Sequence, residues 1–339
     1  VLSLGERKES FMNAKALFVP TMLIGLLGGC TLEKTDDADE FRPAIPSADS
    51  VAVDGPETTG TSGRKAASGA RGELTGGDSS NAPAYWYTFT RNVRDGVNVV
   101  TAAILGTVSF VVHTEPTSVS SDEAVWGPYD GDALDPVTWR LSVTRIGEHH
   151  YRYVVEGRKK SDRGGEFLTI LDGDGYDHMS AQHGDGAFTL DLDNAKALDP
   201  SRHADDAGSV TIEHDLPEDI GRRVDALPRF ITATIDPHTG ESLVISSTAN
   251  EDHTGTLDVT GIVDVDDVKD GISENVSILS RWRETGAGRS DITIAHGSVP
   301  AMYDPVTATE CWGVDFGRVY YGDSGEFSPT EGDPQLCAY

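Results

Sequence analysis

From about Ala84 onward, apolar and polar side chains alternate with a period of two, the pattern of strands that bury one face. Trp139, Leu141 and Val143 alternate with Arg140, Ser142 and Thr144, and Tyr151, Tyr153 and Val155 alternate with Arg152 and Val154. Runs at 167–171, 187–192, 209–214, 230–235, 243–247, 276–282 and 290–295 read the same way. Tyr85, Tyr87 and Phe89 would share one face of a first strand. Asp236-Pro237-His238-Thr239-Gly240 and Gly286-Ala287-Gly288 supply turn residues between such runs. Short strands with short connections and no intervening helices predict a mainly β fold. The expected form is a large curved antiparallel meander sheet, half-barrel or barrel-like in outline, whose edges need closure, curling or a cover.

One stretch breaks the alternation. Val97, Val100, Ile104, Val108 and Val111 are spaced by three and four, which predicts a helix over 97–112. Asp95 would be its N-cap and Pro116 its stop. The stretch contains Asn98, Thr101, Thr107 and Ser109 and is too short to span a bilayer. It is expected to pack on the concave face of the sheet.

Ahead of Ala84 the pattern disappears. Residues 31–82 are rich in Gly, Ser, Thr, Ala and Asp; their large apolar side chains are Leu32, Phe41, Ile45, Val51, Val53 and Leu74. So little apolar surface does not offset the entropy of ordering, so 30–83 is expected to be a disordered tether, spanning roughly 40 Å root-mean-square. All five tryptophans and all ten tyrosines lie beyond it, and 84–339 is read as a single β-rich domain.

At the start, Met12-Asn13-Ala14-Lys15 precedes residues 16–27, which are apolar except for Thr21, and Leu27-Gly28-Gly29-Cys30 follows. The apolar run has the length of a signal-peptide core. With that ending, the segment resembles a bacterial lipoprotein signal. The resemblance implies removal of residues 1–29, diacylglycerol on the Cys30 sulfur and acylation of the new amino terminus. Several chains anchor a protein where one holds it only marginally. Thr31, where an Asp would retain a lipoprotein at the inner membrane, implies the outer membrane. Met12 reads as the initiator, with Glu6, Arg7, Lys8 and Glu9 in an over-extended start.

The 339 residues carry 27 Lys+Arg against 56 Asp+Glu, a formal charge of −29. Nucleic acid is thereby excluded as a partner, since phosphate binding needs clustered basic residues. With Cys30 lipidated, Cys311 and Cys337 remain, and in an oxidising compartment they read as a disulfide worth ~3 kcal/mol; two free or metal-binding thiols are the alternative.

Several motifs invite chemistry. Gly322-Asp323-Ser324-Gly325 is similar to the nucleophile motif of chymotrypsin-like proteases, but Glu326 replaces the next Gly, no histidine follows Thr101-Ala102-Ala103, and a turn is the better reading. Asp172-Gly173-Asp174-Gly175-Tyr176-Asp177 and Asp264-Val265-Asp266-Asp267 approach calcium loops, yet the fifth positions are Tyr176 and Val268. His149-His150, His178 and His183 form no HExxH or His-x-His pair. No catalytic residue, metal or cofactor is read from these.

Ser280-Arg281-Trp282-Arg283, Gly286-Ala287-Gly288-Arg289-Ser290-Asp291, Glu310-Cys311-Trp312, Tyr320-Tyr321 and Cys337, with Trp126-Gly127-Pro128 upstream, together resemble a group of uncharacterised bacterial lipoproteins. In outline the meander with one helix is also similar to half-barrel lipoprotein carriers. The expected function is a non-enzymatic, lipid-anchored envelope module that binds an apolar ligand, a lipid or an envelope protein. The alternatives are a passive structural surface lipoprotein and an envelope polysaccharide hydrolase.

Overall fold

A computed structural model describes residues 38–56, 83–130, 135–180, 183–204, 206–217, 229–250, 252–265, 271–325 and 328–339. Cys30, the signal segment and most of the expected tether lie outside these residues.

The strands are β1 (Ser118–Val119), β2 (Glu123–Asp130), β3 (Val137–Gly147), β4 (His150–Lys159) and β5 (Leu168–Ser180). They continue with β6 (His183–Asp191), β7 (Ser209–Leu216), β8 (Arg229–Asp236), β9 (Ser242–Ala249) and β10 (Gly255–Val263). β11 (Glu274–Trp282), β12 (Gly288–Ala295), β13 (Val306–Trp312), β14 (Arg318–Asp323) and β15 (Glu331–Gly332) complete them. Each pairs antiparallel with its neighbours in sequence, giving one meander sheet that does not close, as the alternation predicts. Both edges are blunted against further pairing: β1 and β15 have two residues each, and a register shift with Pro128 interrupts β2 between Trp126 and Tyr129.

Large side chains on the inner face fit because glycines sit opposite them. Across four strands the register runs Gly255, Trp282, Gly288, Trp312. A Cβ on Gly288 would lie 2.4 Å from the Trp312 ring, and one on Gly255 would lie 2.5 Å from Trp282. Gly173 likewise stands between Tyr153 and Phe188, with the Tyr153 ring 2.5 Å from where its Cβ would be.

Helix α1 covers Tyr85–Val112, twelve residues earlier than expected at its N-terminus. The predicted strand at Tyr85, Tyr87 and Phe89 is therefore its first turns. Tyr85 and Phe89 are also four apart, and Trp86, Val93, Val97 and Val100 continue a helical stripe, so two periodicities compete and packing decides. Asp95, expected as N-cap, is a surface residue inside the helix, paired with Arg94. The helix ends before Pro116, as expected. At about 42 Å it bridges distant parts of the meander: Trp86 meets β13, while the Trp126 indole on β2 donates to Thr114 O just past the other end. No helix among the described residues is long and apolar enough to cross a membrane.

A second helix, α2 (Leu192–Leu198), connects β6 to β7, where no helix was expected. Asp191 caps it by accepting from Asn194 N, and Leu192, Ala195 and Leu198 form its buried face.

Residues 38–56 depart furthest from expectation. Instead of a disordered tether they form a strap on the inner face with a 3-10 turn at Arg42–Ala44, and Ala38, Phe41, Ile45, Val51 and Val53 are buried. Phe41 meets the Tyr151 ring edge-on, 6.0 Å between centroids. Val53 exchanges two hydrogen bonds with the Asn98 side chain on α1, Arg42 donates to Val112 O, and Arg229 on β8 reaches Ser50 O and Asp54. The strap thus fills the trough between α1 and strands β4–β8.

Candidate functional site

Three residues from the motifs singled out in the sequence, Ser280, Ser290 and Glu310, meet at one place, the seat of α1 on β11–β13. The register aligns Ser280, Ser290 and Glu310 across three strands, all buried on the inner face. Thr90 Oγ lies 2.7 Å from Ser280 Oγ, which lies 2.7 Å from Ser290 Oγ. Thr90 also donates to Trp86 O, so the hydroxyl chain ends in the helix backbone.

Glu310 completes the seat. It is fully buried and accepts from Trp86 N at 2.5 Å and from Tyr85 N, while Arg318 Nε donates to its other oxygen at 2.6 Å. Ala84 precedes the helix without a side-chain cap, so this carboxylate from 224 residues away satisfies the first N–H groups and faces the positive end of the helix dipole. Burial raises the Glu310 carboxyl above its usual range, against the pull of Arg318 and the two N–H groups. Burial and the Glu310 charge push the Tyr85 phenol up to about 12. The arrangement holds a helix; every oxygen of Glu310 is engaged by the protein itself.

On the opposite face of the same strands, Arg281 and Arg289 both bind Asp291, and Arg281 and Arg283 lie over the Tyr339 ring. Burial would raise the Asp291 carboxyl, but Arg289, Thr309 and Arg281 hold it below its usual range. Cys311 and Trp312 point to opposite faces of β13, and both are buried because each face is covered there. Trp312 points into the Gly–Trp row and donates to Gly286 O, while Cys311 pairs with Cys337, Cα atoms 5.3 Å apart. The expected disulfide is thus in place and ties the tail to β13.

The other motifs separate. Ser324 and Gly325 form a turn: Asp323 accepts from Gly325 N, and Ser324 Oγ accepts from Thr307 N. Asp172 pairs with Arg152 and Asp174 with His150. Among the described residues no three His, Cys, Asp or Glu groups gather to hold a metal ion.

What remains is the trough beneath the strap. Its floor on β4–β6 is Tyr151, Tyr153, Leu171 and Phe188, and the 3-10 turn lies on β4 and β5. The Tyr153 hydroxyl is fully buried with no hydrogen-bond partner among the described residues. Burial first, then the charges of Asp174 and Asp172, push its phenol upward. An unpaired buried hydroxyl costs about 1–3 kcal/mol. The alternation placed Tyr151 and Tyr153 on one face of a strand, but nothing in the sequence marked what covers them, because the cover comes from a segment that looked unable to fold. Comparison of the chain with protein-family models, curated proteins and solved structures finds no match.

Proposed function

We propose that this protein is a lipid-anchored, non-enzymatic envelope binding protein whose trough takes an apolar ligand with a polar head in place of the strap. The observation that carries the reading is the cover itself. Phe41, Ile45, Val51 and Val53 join the same buried cluster as the floor residue Tyr153, whose hydroxyl lacks a partner among the described residues. A ligand with an acyl chain would replace the four apolar side chains, and its head would supply the missing hydrogen bond.

The test is titration of the full chain with a fluorescent fatty acid, followed by limited proteolysis. Saturable binding that exposes residues 38–56 to cleavage supports the reading; absence of binding, or binding that leaves the strap protected, overturns it. Anchoring has its own test. Labelled palmitate should enter the wild type and be lost in Cys30→Ala, and equal labelling of both would remove the lipoprotein reading.

A further inference from the structure

Away from the trough, the outward face of β5–β7 carries an open groove of about 500 Å³. One wall is Tyr176. Its ring stacks on His150, centroids 3.6 Å apart, and His150 is held in turn at 3.0 Å from Asp174. One ring face is therefore covered and fixed, while the residue remains 42% exposed on the groove side. The register then sets Asp185 opposite Tyr176, Asp215 opposite Asp185, and an exposed Phe230 opposite Asp215. The adjacent outward row is Asp174, Ala187 and Glu213, with the small Ala187 keeping the floor low. Asp185 and Asp215 are thereby about 5 Å apart across strands, and Glu213 and Asp215 about 7 Å apart along β7.

We propose that this groove docks a basic peptide segment in extended conformation, with one Lys or Arg over the open face of Tyr176 and others against Asp185, Glu213 and Asp215. The ring offers its negative face to a cation, and the carboxylates around it have the complementary sign. Among the described residues Asp185, Glu213 and Asp215 have no basic partner. Alternate side chains of an extended peptide are about 7 Å apart, the spacing of Glu213 and Asp215 along β7. A single small cation would engage only two of them, and a neutral sugar would use the ring without needing the charges. The formal charge of −29 steers such a partner inward. The inference is independent of what the trough binds.

The experiment is fluorescence anisotropy of a labelled peptide of alternating Lys and Thr, titrated with the full chain at two salt concentrations. Saturable one-to-one binding that weakens with salt is expected. Tyr176→Ala should weaken it about five-fold, and Asp185→Asn with Asp215→Asn more than about ten-fold. Two exposed acids outside the groove serve as controls: Asp95→Asn with Glu166→Gln should change affinity less than about two-fold. No binding, or equal loss from the control pair, overturns the proposal, the latter by reducing it to diffuse charge. Binding of a neutral oligosaccharide or of spermine with the same dependence on Tyr176, and stronger than the peptide, overturns it in favour of that ligand. Melting curves of each variant confirm that the sheet is intact.

Discussion

Two segments cover the same inner face of this sheet, and they are held in different ways. At its N-terminal end α1 is fixed by directional bonds between buried groups: Glu310 on the first N–H groups, and the hydroxyl chain from Thr90 through Ser280 to Ser290. The strap of 38–56 is held by apolar contact, by the paired bonds of Val53 with Asn98, and by ion pairs at the surface such as Arg145 with Glu40 and Arg229 with Asp54. Half-exposed pairs of that kind contribute about 0–1 kcal/mol each. Apolar contact accepts any apolar partner, whereas a buried carboxylate accepts only the donors built for it. The helix is thereby tied into the sheet by bonds between buried groups, and the proposed function requires the strap to be the portion of the core that is exchanged.

The largest effect should come from the helix seat. Glu310→Ala leaves Arg318 and two helix N–H groups without their acceptor in a buried place, a loss of about 3–5 kcal/mol and roughly 10 °C in melting temperature. Glu310→Gln separates shape from charge. Burial raises this carboxyl, so its contribution to stability is complete below the unfolded pKa and is lost as pH rises through the folded one. The Gln variant, uncharged throughout, should therefore gain on the wild type as pH rises from the ordinary carboxylate range through the raised one. Melts of the three proteins across that range decide the matter. If the Ala variant melts within a degree or two of wild type, the seat is not what holds α1.

The disulfide tests whether that seat depends on the outer face. Cys311 follows Glu310 directly but lies beneath the tail, so reduction should free the tail while leaving the helix docked. Thiol counting on the denatured, unreduced body should find none. Reduction should then lower the melting temperature by roughly 5–10 °C, given ~3 kcal/mol from loop closure. The near-ultraviolet signal of Trp86 and Trp312 should persist below the new transition. Its disappearance on reduction would mean that the inner seat and the outer tie are one structure.

The meander was legible in the sequence because each strand carries its own alternation, and the register follows from short turns. β10 escaped notice although Leu257 and Val259 alternate with Thr256, Asp258 and Thr260 as clearly as in its neighbours. α2 was also legible, in Asp191 ahead of Leu192, Ala195 and Leu198. The start of α1 was not. Local reading finds only Ala84 there, because the capping group sits on β13. The strap was hidden for a related reason: Phe41 and three aliphatic residues suffice to order it only once Gly173 has let Tyr153 and Phe188 build the floor beneath. Of the candidate site, the Ser280, Ser290 and Glu310 row came from motifs noticed as a group, and its role emerged only from strand register.

The smallest effect on the main transition is also the one that sharpens the contrast most. Phe41 is fully buried against Tyr151, and a core Phe→Ala substitution ordinarily costs about 3–5 kcal/mol. In a segment that docks as its own cooperative unit, the loss cannot exceed the free energy of docking, because the strap detaches before the sheet unfolds. Phe41→Ala should accordingly shift the main melting transition by no more than about 2 °C, while cleavage within 38–56 by a protease at low concentration accelerates about ten-fold or more. Arg145→Ala, which removes only the exposed pair with Glu40, should change both readouts less. A main transition lowered by the full core value would place the strap on the same footing as α1, and the trough would have no removable cover for a ligand to displace.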